Sequence, residues 1–429
     1  MTRASGASRA PRATAAFLAL ALLAVGACSS SSEEPAARVA AQPPAGEPTP
    51  VPGFDGVTIH VGAITALTGN DSLAGLPFTA GMKSYFDHVN VELGGIGEKY
   101  KVQLDVQDTA GDPAKAAKAY AALAPGSVVL GQVLGLATTD AVLPALRTDG
   151  LLALPVLTPT LDDVNLLPTG VPVGAQGANA LQWWLTKREG KPGVVCGLVQ
   201  GDAYGAAGWA GVQAQAAAAK VELGPEVTIP APPHAVGDLD APLGQLRDAH
   251  CDAVVLATTP VAATSILTQA GAAQLPTQWI GLTASWTSTL ASSPVFEYLR
   301  AHLVVVTDGP DYLDGSNDAM VELVRIKAAY APAIAPDPWF VAGFLQAQVV
   351  TDLLEKADTA GDLSRQGILD ASRALSPSLG GLGGAWRYRS PDARRAPTTS
   401  TISRPVEPKR SPIGLTVIDP KVQATPAKG

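Results

Sequence analysis

Along most of the chain, short runs of apolar residues alternate with longer segments whose apolar positions recur at helical spacing. Residues 57–64 predict a strand and 79–91 a helix. Then come a strand at 101–108, an Ala/Lys-rich helix at 113–123, a short buried strand at 127–130, a helix at 139–147 and a strand at 152–157. The rhythm then restarts: helix 180–187, strand 193–199, helix 206–220, strand 226–229, helix 239–249, strand 252–257, helix 262–272 and strand 279–282. Another strand is expected near 302–307, followed by a long helical region at 318–331 and 339–357. Strands that alternate with helices imply parallel βαβ units, because each crossover must pass over the sheet face. Two runs of one rhythm predict an α/β protein of two similar lobes. Residues 386–388 and 402–418 read as extended and broken by proline.

The first 54 residues break this pattern. Arg3, Arg9 and Arg12 precede an apolar run from Ala15 to Val25. That run has the length of a signal-peptide core and is short for a permanent membrane span. It ends at Val25-Gly26-Ala27-Cys28, small residues before a cysteine. This spacing resembles the bacterial lipobox, in which Cys28 is lipidated and becomes the first mature residue. The alternative is an ordinary secretory signal with a chance cysteine. Residues 29–54 are Ser-, Pro-, Ala- and Gly-rich with nothing to build a core, and read as a disordered tether. Residues 1–27 are therefore expected to be the signal and 28–54 the tether, placing the body outside the cytoplasm on a lipid anchor.

Charge and reactive residues narrow the function. The formal net charge is −8, and the leader holds three of the cations, so the mature chain is more acidic still. With no Lys/Arg block, nucleic acid is not an expected partner. His60, His88, His234, His250 and His302 are scattered without metal-ligand spacing. No Gly-x-Ser-x-Gly elbow or phosphate-binding loop occurs, and Gly380-Gly381-Leu382-Gly383-Gly384 follows no convincing strand. No catalytic residue, metal or cofactor is expected. Cys196 and Cys251 each lie in a strand-like stretch. Adjacent parallel strands could bring them together as a disulfide, which export permits, or leave them as two buried thiols.

Several segments, in order, resemble type I periplasmic binding proteins of the branched-chain amino acid (leucine/isoleucine/valine) family. They are the opening Ile59-His60-Val61-Gly62-Ala63-Ile64-Thr65-Ala66-Leu67-Thr68-Gly69, Gly81 twelve residues on, Gly94-Gly95-Ile96, Asp105–Asp108 and Gly111-Asp112-Pro113-Ala114. Asp202-Ala203-Tyr204-Gly205 and Leu267-Thr268-Gln269-Ala270-Gly271 follow. The likeness spans about Val57 to Tyr388. It implies two Rossmann-like lobes with a ligand cleft at the hinge, residues 55–172 plus 308–379 in one and 173–307 plus 380–420 in the other. Residues 421–429 would form a tail. The chain would cross near Pro172, Val306 and Gly380. It further implies a monomeric solute-binding protein that closes on a small molecule and delivers it to an ABC permease. A ligand sensor of the same fold, or a cell-surface interaction lipoprotein with a degenerate cleft, are the alternatives.

Candidate ligand contacts lie in loops after the strands, where backbone N–H groups and short hydroxyls face a cleft. In the first lobe these are Ser72, Leu73 and Ala74, then Gly135, Leu136 and Ala137, then Thr158, Thr160 and Asp162. In the second they are Tyr204, Thr258, Thr259, Thr283, Ser285 and Trp286. Any single Ser or Thr here is equally suited to capping a helix. Tyr204 matches the family position that covers the ligand. Ala74 stands where leucine-binding relatives have an aromatic, Asp162 where a hydroxyl meets the ligand carboxylate, and Thr283 where a glutamate meets its ammonium. A threonine cannot neutralise a buried ammonium, so the expected ligand is a polar or aromatic solute other than a simple aliphatic amino acid. Trp183, Trp184, Trp286 and Tyr312 are candidates for flat apolar walls, with lobe packing as the alternative for Trp183 and Trp184.

Overall fold

The computed structural model describes residues 46–157, 162–189, 191, 193–232, 234–384 and 386–424. The proposed signal, Cys28, Thr158 and Thr160 lie outside them. The first lobe is built from β1 (Thr58–Thr65), α1 (Ser72–Val91), β2 (Lys101–Asp108), α2 (Pro113–Leu123), β3 (Val129–Leu134), α3 (Leu136–Asp149) and β4 (Ala153–Val156). Their strands form a four-stranded parallel sheet in the order β2-β1-β3-β4. All six residues of β3 and all four of β4 are buried, as expected of strands covered on both faces.

The second lobe follows with α4 (Val173–Lys187), β5 (Val195–Gln200), α5 (Ala203–Ala219), β6 (Glu226–Ile229), α6 (Asp240–Asp248), β7 (Ala253–Ala257), α7 (Pro260–Ala272), β8 (Gln278–Gly281), α8 (Phe296–His302) and β9 (Leu303–Thr307). The chain returns to the first lobe as α9 (Asp318–Tyr330), α10 (Pro338–Thr359) and α11 (Arg365–Arg373). It ends in β10 (Ser400–Pro405) and β11 (Leu415–Val422). β10 pairs antiparallel with β9 and β11 antiparallel with β10, completing a seven-stranded sheet in the order β11-β10-β9-β8-β7-β5-β6. The second sheet thus extends to Val422, two residues past the expected end of that lobe.

Glycines fix how closely the helices pack in each lobe. On α1 and α10, a Cβ at Gly81 would overlap the Phe340 carbonyl oxygen, and one at Gly343 the Phe78 carbonyl oxygen. On α4 and α5, Gly177 faces the Gly208 carbonyl and Gly211 the Gly174 carbonyl in the same way. Even a methyl group at Gly343 would therefore push two backbones apart. The variant Gly343→Ala is expected to lose roughly 1–3 kcal/mol in urea unfolding, the usual cost of overpacking. An unchanged midpoint would show that the helices separate freely.

Three connections join the lobes, and they are tied to one another. In the first, the Val171 N–H donates to the Asp308 carboxylate of the second at 3.3 Å. The third holds the first through Trp386, whose indole N–H donates to the Gly170 carbonyl at 2.8 Å, and through the Tyr388 hydroxyl, which donates to the Pro168 carbonyl. Gln346 on α10 donates to the carbonyls of Gly131 and Leu154 and accepts from Thr169, anchoring the first connection to the first sheet.

Candidate functional site

Four helices begin at one cleft between the lobes. Their N-cap residues, Asp71 of α1, Gly135 of α3, Asp202 of α5 and Thr259 of α7, all line it. Free N–H groups and the positive ends of the helix dipoles therefore converge there. Asp202 is committed to its own helix, accepting from the Tyr204 and Gly205 N–H groups. Gln200 ties two of the helix starts together, donating to Asp202 and accepting from the Thr259 N–H, both at 2.8 Å. Asp71 makes no capping hydrogen bond, and burial pushes its carboxyl up. Tyr204 is 1% exposed, and its hydroxyl lacks a well-formed hydrogen bond. Burial raises that hydroxyl's pKa, partly offset by the Ala284 backbone amide. The Thr259 hydroxyl is likewise without a partner.

The cleft brings together Ala74, Gly135, Leu136, Ala137, Tyr204 and Thr259 of the expected set. Other members lie elsewhere. Ser72 and Leu73 sit in the first turn of α1 rather than in a loop, and the Ser72 hydroxyl turns back to the Gly69 carbonyl. Asp162 is exposed and lines neither the cleft nor the cavity behind it. Thr258 is fully buried beneath the cleft surface. Ser285 bonds the Leu256 and Thr258 carbonyls. Trp286 is fully buried in the second lobe's core, its indole donating to the Ile413 carbonyl. Trp183 and Trp184 line neither space either; Trp184 stacks under Arg188.

Sequence reasoning missed Trp339, Gln200 and Asp202. Trp339, at the start of α10, lines the cleft and donates to the Trp286 carbonyl. It also borders a second space, a cavity of about 180 Å³ enclosed by the three connections and α10. Leu157 lines both spaces. Thr283 faces this hinge cavity, with its hydroxyl donating to the Val306 carbonyl and its N–H to Gln176. Tyr312 lines it too. Among the described residues no Lys or Arg lines the cleft or the hinge cavity. Cys196 and Cys251 are joined as a disulfide, with Cα atoms 5.9 Å apart. His88, Glu92 and Glu322 cluster on the surface, but the Arg325 guanidinium already lies among them, donating to both carboxylates.

A family model described as periplasmic binding protein matches residues 58–405. The chain belongs to the periplasmic binding protein family. This is a family of solute-binding proteins in its type I, two-lobed form. Solved members share its fold at low sequence identity. A fatty acid ABC transporter substrate-binding protein from Thermomonospora curvata is 24% identical. It aligns over 90% of this chain and 96% of its own, with a TM-score of 0.80. A benzoate-bound solute-binding protein from R. palustris is 18% identical over 86% and 98% of the two chains, with a TM-score of 0.67. A branched-chain amino acid ABC transporter protein from Thermus thermophilus with bound valine is 14% identical over 86% and 96%, with a TM-score of 0.70. No curated protein sequence matches the chain.

Proposed function

We propose that this periplasmic binding protein is the extracytoplasmic receptor of an ABC uptake system, anchored through lipidated Cys28, and that it closes its two lobes on an apolar monocarboxylate. The observation that carries this reading is the convergence of four helix N-caps on a cleft lined by the buried Tyr204, whose hydroxyl lacks a well-formed hydrogen bond. N–H groups, helix dipoles and a phenol donor together suit a carboxylate. The family glutamate that would hold an ammonium is replaced by Thr283, whose hydroxyl is already bonded to Val306. The benzoate and fatty acid named for two structural relatives carry a carboxylate and no ammonium, which supports the same class. Binding would draw the lobes together about the three connections and favour the closed form that a permease reads. Such a receptor needs no catalytic group or cofactor and acts as a monomer.

Matched pairs test the ligand class. In calorimetry, 4-methylpentanoate is expected to bind at least tenfold more tightly than leucine, which differs by the ammonium. Equal or tighter binding of leucine would overturn it. Asp71 is the one cleft carboxylate without a hydrogen bond to its own helix, so its charge opposes a carboxylate ligand. Asp71→Asn is therefore expected to tighten binding of the acid about tenfold at pH 8, with a smaller gain at acid pH where the native carboxyl is protonated. Equal affinities at pH 8 would place the carboxylate away from α1.

A further inference from the structure

Resting on the receptor reading above, we propose that the hinge cavity behind the cleft is the subsite for the ligand's hydrocarbon part. The carboxylate would stay at the helix N-termini while a chain or ring passes between Leu157 and Trp339 into the hinge.

The two spaces are neighbours: Leu157 and Trp339 line both. The wall beyond them is largely apolar, with Val156, Pro172, Tyr312, Ala342, Leu345 and Trp386 contributing from β4, all three connections and α10. At about 180 Å³ it exceeds the roughly 150 Å³ apolar cavity that suffices for benzene, so a six- to eight-carbon tail fits. Its polar side chains Gln176, Thr283 and Gln346 are already hydrogen-bonded within the protein. Asp308 and Asp311 border it from the second connection, where Asp311 accepts from the Val417 N–H and the Thr416 hydroxyl. Each space carries two aspartates, but four helix N-termini meet at the cleft, so the head faces the cleft. Leu157 itself has φ +63°, a left-handed conformation that costs a non-glycine residue of the order of 1 kcal/mol. Strain of this kind persists where the surroundings hold it, here at the border of the two spaces.

The cavity also couples binding to closure. Its wall comes from the same three connections that must bend, so a tail seated there contacts the hinge directly. A short acid would reach the head site without those contacts.

The test is calorimetry on the full chain with straight-chain acids from propanoate to dodecanoate. Affinity is expected to rise about three- to fourfold per methylene up to about octanoate, then level off or fall. Ala342→Phe fills the cavity, so it should flatten the rise and leave propanoate affinity unchanged. A flat series in the native protein would overturn the subsite while leaving the receptor reading intact, as would a rise that persists unchanged in Ala342→Phe. Failure of every acid, with closure on another solute from a broad library, would overturn both the subsite and the monocarboxylate class while leaving the receptor role intact. No thermal shift with any solute would overturn the receptor reading itself. The native series needs no variant, so misfolding of Ala342→Phe would not rescue the proposal.

Discussion

Reducing the Cys196–Cys251 bridge is expected to lower the free energy of unfolding by about 4 kcal/mol, from the loop it closes. The cysteines are 55 residues apart in sequence, so the open chain regains much conformational freedom once the link is cut. In the native state they need no rearrangement to meet. Cys196 lies on β5 beside Val254 of β7, and Cys251 lies two residues before that strand begins. Both are in the second lobe's core, Cys196 fully buried. Urea unfolding with and without a phosphine reductant measures the difference: the midpoint should fall, and the slope should rise because the reduced unfolded chain is more expanded. Cys196→Ala with Cys251→Ala should lose slightly more, since two buried sulfurs are also removed. An unchanged midpoint after complete reduction would mean that the unfolded chain stays compact without the link. Such a bridge persists in an oxidising compartment, in keeping with the export proposed from residues 1–28.

The architecture was readable because parallel strands buried on both faces are continuous apolar runs, and β1, β5 and β7 stand out as such. Boundaries failed where a residue had two meanings. Pro77 and the Gly-rich start of α4 look like helix breakers, so α1 was expected from 79 and α4 from 180. In fact α1 runs through Pro77, and Gly174 and Gly177 are there to let α5 approach. The site divides the same way. Ala74, 135–137, Tyr204 and Thr259 were legible because each lies just after a strand, where a parallel sheet presents its loops to a cleft. Trp339 was not, because it reaches the cleft from the start of a helix far away in sequence, with no local signal. Trp286 misled for a physical reason: an indole beside a ligand loop can equally fill a core, and here it does. The hinge cavity had no sequence signature at all, since its wall is assembled from three separate connections and α10.

Asp308→Asn should stabilise the protein at pH 8 by about 2–4 kcal/mol and have little effect near pH 3. Burial pushes the Asp308 carboxyl from 3.8 up to about 7, with only the Val171 N–H favouring its charged form. Below the unfolded value of 3.8 both states hold the proton. Between there and about 7 the native state keeps a proton that the unfolded state has lost, so stability falls as pH rises; above about 7 the loss is complete. The full shift corresponds to about 4 kcal/mol. Part of the residue faces the hinge cavity, where water can screen the charge, which sets the lower end of the range. Asp337 is also raised, to about 6, against three hydrogen bonds from Ser288 and Trp339. It contributes to both proteins alike, so the difference between their pH profiles isolates Asp308. Urea melts at pH 4, 6 and 8 measure it; parallel profiles would show that cavity water solvates the carboxylate fully. The same group reports on the ligand. A hydrocarbon tail in the hinge cavity would displace that water and raise the Asp308 pKa further. Binding of octanoate near neutral pH should then take up protons, visible in calorimetry as a dependence on the buffer's ionisation enthalpy. Propanoate should show less of it, and Asp308→Asn should lose this contribution for both acids.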